Sequence, residues 1–294
     1  MDLRSLRFGV EIETVRRSRS EVAQAISTVV GGGVVGSGAR DRYDTQKVLD
    51  ARGREWMVVR DSSLPDGGAE VVSPVLAYDD IPELQRVVRA LRAIGARSSS
   101  ACGIHIHVDA GAFDGRTLAN LAKITFKQEE LIIRALGVDA ARLARYAQKT
   151  RREFITGIEQ RKPRTRDEIN QIWYGYRNTT PQHYDCTRYH GVNFHSVWYR
   201  GTVEFRWFNG TLHAGRVKGY IQFCLALAAK ALNAKSAQSK QRTANGRSDR
   251  YDFRVFLLGL GLIGDEFKTA RKHLMARLEG SAAWKNGRPA NEAA

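Results

Sequence analysis

The chain is poor in cysteine and proline, has no long apolar run and carries no glycine-rich phosphate loop, and each shortage removes a class of protein. Its three cysteines, Cys102, Cys186 and Cys224, are too few for a disulfide framework and show no metal-binding spacing. A disulfide-stapled fold and a thiolate zinc site are therefore not expected. Cys224 falls in an apolar helical pattern and reads as a small core residue. The longest apolar stretch, Ile221–Leu232, is interrupted by Gln222 and Lys230 and falls short of the about 20 residues that a spanning helix requires. No membrane segment is expected. Met1–Val10 is charged and lacks the apolar centre of a signal peptide, which points to a cytoplasmic protein. Without a P-loop signature, any nucleotide must be held in another way.

What the chain does have is positive charge. Its 47 Lys and Arg against 31 Asp and Glu give a net charge of +16. Such a field attracts nucleic acid, nucleotide phosphates, an anionic cell-wall polymer or carboxylate substrates, and speaks to association rather than to fold. The densest basic run, Arg151, Arg152, Arg161, Lys162, Arg164 and Arg166, is broken by Glu153 and Glu159, so it reads equally as a solvated face or a binding surface. A 43% hydrophobic content over 294 residues is enough for one large core or two modest ones.

Periodicity divides the chain into strands and helices. Arg7–Thr14 alternates as a strand, and Ser20–Val30 follows with helical spacing. After a turn at Gly31–Gly38, Val48–Leu49 and Glu55–Val59 read as a hairpin, and Ala69–Val75 as a strand ending near Pro74. Asp79 or Asp80 caps a helix whose stripe is Leu84, Val87, Val88, Leu91 and Ile94, stopped by Gly95. Gly103–Asp109 alternates strictly, and Asp114 opens a long helix to Gly137. Two or three helices fill Ala140–Tyr174, then Tyr189–Trp198 and Thr202–Phe208 read as strands joined by a hairpin at Tyr199–Gly201. Helices are expected over Val217–Leu232, Arg254–Leu262 and Asp265–Leu278, with Asn233–Arg250 a polar loop and no internal repeat. The sum is an α+β protein with a largely antiparallel sheet. A division into residues 1–235, a catalytic domain, and 236–294, a linker with a helical extension packed on it, is expected.

Strand parity picks out the chemistry, because alternate side chains point to opposite faces. Glu11 and Glu13 share one side of their strand while Val10 and Ile12 share the other. His105, His107 and Asp109 oppose Ile104, Ile106 and Val108, and Glu204 and Arg206 oppose Val203, Phe205 and Trp207. One polar face looking into water would be unremarked. Across these strands, however, the polar set is carboxylate and imidazole with a single arginine, which suits coordination of a divalent cation. Carboxylates so close would repel unless cations neutralise them. Oxygen-rich donors favour Mg²⁺ or Mn²⁺, which commonly bind together with substrate phosphates, and Arg206 would then offset charge on a transferred phosphoryl group.

The segments Phe8-Gly9-Val10-Glu11-Ile12-Glu13, Asp61-Ser62-Ser63-Leu64 with Glu70-Val71-Val72-Ser73-Pro74, Gly103-Ile104-His105-Ile106-His107-Val108, and Thr202-Val203-Glu204-Phe205-Arg206 with Gly210-Thr211 resemble, in order, the motifs of the amidoligase family of glutamine-synthetase-like carboxylate–amine ligases. Arg188 and Asn193 resemble a polar pair that precedes the last motif. The motifs span Phe8 to Thr211. The resemblance implies a curved antiparallel sheet forming a funnel with helices packed outside, ATP entering at one end, and small amine and carboxylate substrates meeting near the metals. Glu11, Glu13, Glu70, His105 or His107, and Glu204 become the implied Mg²⁺ ligands, Arg206 the phosphate-binding arginine, and Arg188, Asn193, Asp61 and Ser63 the implied substrate- or nucleotide-binding residues. The implied reaction is acyl-phosphate formation from ATP followed by amine attack, with Glu11, Glu13, Glu204 and Arg206 central to it. The resemblance places the chain among relatives common in phage and mobile genomes, which are predicted to modify peptides, cell-wall components or nucleic-acid substituents.

Two other readings use the same residues differently. A divalent-metal-dependent hydrolase would employ His105, His107, Asp109 and the glutamates around an activated water. A basic nucleic-acid-binding protein without catalysis would use the charge and Arg151–Arg166, but leaves the inward-facing glutamates unexplained. The ligase and nucleic-acid readings merge if the acceptor is itself a polyanion.

Overall fold

In the computed structural model, residues 1–36, 44–65, 68–242 and 248–285 are described. The alternation of Phe8–Thr14 makes β1, and its apolar members Phe8, Val10 and Ile12 are all buried. The other strands are β2 (Val34–Gly36), β3 (Gln46–Leu49), β4 (Glu55–Val59), β5 (Ala69–Val72), β6 (Gly103–Asp109), β7 (Val192–Asn193) and β8 (Thr202–Asn209). They form one curved, open, eight-stranded sheet in the order β2-β3-β4-β5-β1-β6-β8-β7, every neighbouring pair antiparallel. The α+β antiparallel architecture expected from the sequence is the one observed. Between Ile104 and Ile106 the register of β6 on β8 slips, and such a bulge bends a sheet locally. It also breaks strict parity at the end of β8. Phe208 pairs with Ile104 and stacks on Tyr220 at 4.3 Å, joining the apolar side.

Ten helices accompany the sheet among the described residues: α1 (Arg19–Val30), α2 (Ile81–Ala93), α3 (Gly115–Leu136), α4 (Ala140–Arg145), α5 (Arg152–Arg161), α6 (Arg166–Tyr174), α7 (His195–Tyr199), α8 (Ala214–Asn233), α9 (Asp249–Gly259) and α10 (Lys268–Leu274). Helix α1 begins earlier than Ser20. Ser18 and Glu21 form a reciprocal cap in which Glu21 accepts from the Ser18 N–H at 2.9 Å, satisfying two otherwise orphaned donors. Helix α3 starts at the expected Asp114, which accepts from the Thr117 N–H at 2.7 Å, and ends at Gly137 with φ +56°. Helices α1, α2, α3 and α8 share the core with the sheet's apolar face. Helices α9 and α10 add Phe253, Leu257, Ala270 and Leu274 to that core, packing on α3 and α8. Among the described residues no helix is long and apolar enough to cross a membrane.

Three expectations are corrected. The Gly31–Gly38 segment contains strand β2, and residues 37 and 38 lie outside the described residues. Strand β5 stops at Val72, short of Pro74, whose ring nitrogen has no N–H to donate. Tyr189–Trp198 is not a long strand. Only Val192–Asn193 pairs with β8, and the chain then turns into α7. The apolar residues Val197 and Trp198 are placed by a helical turn instead.

Close approach fixes Gly191 beside β8. A Cβ built there would lie 1.8 Å from Trp207 Nε1, in a side chain that is fully buried. Gly191→Ala is expected to lower stability by about 2 kcal/mol, the scale of overpacking a well-filled core, measured by urea denaturation. An unchanged midpoint would contradict the packing described.

Candidate active site

The four inner strands bring the acidic and imidazole residues face to face. Register sets Glu11 opposite His105, Glu13 opposite Glu70, and His107 opposite Glu204, with Asn193 of the edge strand opposite Glu204. Directly opposed residues on one face of a sheet lie within side-chain reach. His105 Nδ1 is 2.9 Å from Glu11 Oε2 and 3.5 Å from Glu204 Oε1, while His107 Nε2 is 3.3 Å from Glu11 Oε1. Glu11, Glu13, His105, His107 and Glu204 are buried, and Glu70 is partly so. The segment from α4 to α7 closes over this face. It supplies Arg142, Tyr146, Arg188, Tyr189 and Arg200 to a cavity of about 360 Å³ whose other walls include Glu11, Glu13, Glu70 and Arg206.

The polar partners hold the ligand atoms in place. Gly103 N–H donates to Glu13 at 2.5 Å, and Asn193 Nδ2 donates to Glu204 at 2.6 Å. Arg206 donates to Glu204 through Nη1 and to the Tyr146 carbonyl through Nε at 3.1 Å. His107 Nδ1 meets Thr202 Oγ1 at 2.9 Å, and Thr202 meets Ser196 Oγ at 2.8 Å. When Nδ1 donates to the hydroxyl, Nε2 carries the lone pair that a cation needs.

Electrostatics show how strained the cluster is. Burial raises the Glu11 carboxyl, but His107 and His105 outweigh it and hold it well below the usual range. Glu204 is held at about 2: burial opposes ionisation, and Arg206, His107 and His105 overcome it. Glu70 goes the other way, driven well above its ordinary value by burial and by Glu11, Asp61 and Glu13. Burial lowers His107, yet Glu11 and Glu204 bring it out raised. A carboxyl pushed upward by the charge of neighbouring carboxylates is a position where a cation relieves repulsion.

A divalent cation fits these residues. Glu11, His107 and Glu204, then Glu11, Glu70 and His105, then Glu13, Asp61 and Glu70 each present ligand atoms within 4.8 Å of one another. Glu11 links the first two groups and Glu70 the last two, so adjacent cation positions would share carboxylates. Nε2 of His105 and of His107 is buried without a hydrogen-bond partner, an arrangement that a bound cation would satisfy. The donor set is mainly oxygen with imidazole, matching Mg²⁺ or Mn²⁺ better than a structural zinc centre.

A family model described as "putative amidoligase enzyme" matches residues 4–228. The chain belongs to this amidoligase family. No curated protein matches the chain. Among solved structures it is similar to a bifunctional glutathione synthetase from Pasteurella multocida, with 12% identity and a TM-score of 0.39 over 92% of this chain and 47% of that one. The chain thus spans about half the length of that protein.

In this member of the family, every implied metal ligand reaches the cluster, and both imidazoles do so rather than one. Asp61, expected at a substrate, stands beside Glu13 and Glu70, and also accepts from the Ser63 N–H at 2.7 Å. Ser63 and Arg188 line the cavity, where Arg188 donates to the His183 carbonyl at 2.9 Å. Asn193 serves Glu204, whereas His195 turns away to Tyr174, Nδ1 to hydroxyl 2.6 Å. Trp207 and Phe208 are core residues, and Trp198 packs against the core. Sequence reading missed Arg142 and Arg200, which lie on a helix and a loop with no alternating neighbours to flag them. Arg200 donates to Glu11 at 3.2 Å. In the basic run, Arg151 donates to the Trp173 carbonyl and Arg166 to that of Phe113 at 2.7 Å, so these cations tie the fold together. Arg161, Lys162 and Arg164 stay exposed.

Proposed function

We propose that the protein is an ATP-dependent amide ligase that joins a small amine to a carboxylate through an acyl phosphate. The observation that carries the reading is the convergence of Glu11, Glu13, Glu70 and Glu204 with His105 and His107 on one buried sheet face, beneath a cavity walled by arginines. These six residues would hold Mg²⁺ or Mn²⁺, which would neutralise charge between a polyanionic donor and an anionic nucleophile.

The reaction needs two displacements. A carboxylate oxygen of the acid substrate attacks the γ-phosphorus of ATP, and the bond to the bridging oxygen breaks to release ADP. The amine nitrogen then attacks the acyl carbon, the carbon–oxygen bond to phosphate breaks, and the ammonium proton passes to solvent. Arg206 keeps Glu204 ionised and oriented while turning positive charge toward the cavity. Arg188, beside Tyr189, adds a cation at the same wall, and Asn193 positions Glu204. Asp61 and Ser63, which line the same cavity, would border the nucleotide or substrate. The acceptor is a peptide, a cell-wall fragment or a nucleic-acid-linked group, and the surplus of Lys and Arg supports a polyanionic one.

The test is incubation with ATP, Mg²⁺ and mixed pools of amino acids, peptides, wall fragments and DNA, following nucleotide products and mass-shifted acceptors. ADP, phosphate and a product lighter than its two parents by one water are expected. AMP with pyrophosphate would replace the acyl phosphate by an adenylate. Nucleotide-independent hydrolysis would favour the hydrolase reading.

A further inference from the structure

Arg142 is the anomaly of the cavity. It projects from α4, is 5% exposed, and lines the same cavity as Arg188 and Arg206. Its guanidinium makes no hydrogen bond or ion pair among the described residues, and its Nε is buried without a partner. The neighbouring arginines are engaged: Arg206 with Glu204 and the Tyr146 carbonyl, Arg188 with the His183 carbonyl, Arg200 with Glu11. Burial pulls the Arg142 pKa down, with the charge of Glu13 opposing and that of Arg206 adding to the fall. A buried cation left without its counter-ion is heavily destabilising, so it persists where a ligand supplies the missing charge.

The backbone beneath it is shaped for this guanidinium. A Cβ at Gly103 would lie 2.2 Å from Arg142 Nη2 and 2.5 Å from Cζ. Only a bare strand lets the flat group lie against β6, next to the Gly103 N–H that holds Glu13. The planar fork suits two oxygens of one phosphoryl group. Arg142, Arg188 and Arg206 around one cavity match a multiply charged phosphate better than a single carboxylate. Building on the ligase reading, we propose that Arg142 is the anion-binding residue for the terminal phosphoryl groups of the nucleotide, seated on Gly103 and left with open donors until the nucleotide arrives.

The test uses calorimetric titration of the full chain with ATP and AMP in Mg²⁺, for the parent, Arg142→Met, Arg142→Lys and Gly103→Ala, together with thermal melting without nucleotide. Arg142→Met should bind ATP about 30-fold more weakly, the scale of losing hydrogen bonds to a charged group. AMP affinity should stay within about twofold, and the ligand-free melting temperature should hold or rise because a buried unpaired cation has gone. Gly103→Ala should reproduce the ATP loss, and Arg142→Lys should restore part of it; if Arg142→Met does not fold, these two variants carry the comparison. ATP affinity unchanged in the variants of a nucleotide-binding parent would overturn the role of Arg142 alone. Equal weakening of ATP and AMP with a fallen melting temperature would make Arg142 structural. A parent that binds no ATP would overturn the ligase reading as well.

Discussion

Glu11→Gln is expected to slow amide-coupled ADP release by at least about a thousandfold, or about 4 kcal/mol in the barrier. Glu11 is common to two of the three groups able to hold a cation, and both its oxygens are engaged: Oε2 by His105 and Oε1 by Arg200, with His107 Nε2 3.3 Å from Oε1. The amide keeps the size of the side chain but replaces one charged oxygen by a donor, which neither a cation nor Arg200 can approach. Secondary structure by circular dichroism should be unchanged, since the apolar side of β1 is untouched. Single-turnover assay of ADP reads the effect, and a loss under tenfold would remove Glu11 from the metal site.

Away from that cluster, Glu129→Gln is expected to make the protein more stable above neutral pH. Glu129 on α3 is 1% exposed, and one carboxylate oxygen accepts from the Thr150 N–H at 2.8 Å and from its hydroxyl at 2.9 Å. Burial pushes its pKa from the ordinary 4.5 up to about 7, with the Thr150 hydrogen bonds opposing. The folded chain therefore holds this proton more tightly than the unfolded chain. Its contribution to stability is full below pH 4.5 and is lost as the pH rises through 7. The loss amounts to about 3 kcal/mol when ionisation is complete. Glutamine still accepts from Thr150 and never ionises. Urea denaturation at intervals from pH 5 to pH 9 should show parent stability falling relative to Glu129→Gln across that range. Parallel curves would contradict the burial of this carboxylate.

The sequence made the polar faces legible because a strand's period of two survives in isolation. Glu11 with Glu13, and His105 with His107, are recognisable from one strand each. What a single strand cannot show is its neighbour. That Glu13 faces Glu70 and His107 faces Glu204 depends on strand order, which brings β5, β1, β6 and β8 side by side although they are scattered through the chain. The ordered motifs supplied Glu70 by resemblance. Arg142 and Arg200 stayed hidden because helices and turns that fold over a sheet place one residue at a time. Beyond Asn193 the strand expected to run to Trp198 gives way to α7, which carries His195 to Tyr174. At the end of β8 the bulge moves Phe208 to the apolar side, a shift that an alternating pattern does not record.

Titration with Mn²⁺ followed by electron paramagnetic resonance decides whether this cluster holds divalent cations for reaction with ATP. The parent should bind more than one Mn²⁺ per chain, spin-coupled because adjacent positions would share Glu11 and Glu70, with binding tightened by ATP and lost in Glu11→Gln. A parent that binds no Mn²⁺ with or without ATP, or a Glu11→Gln variant that binds it as the parent does, would contradict the account.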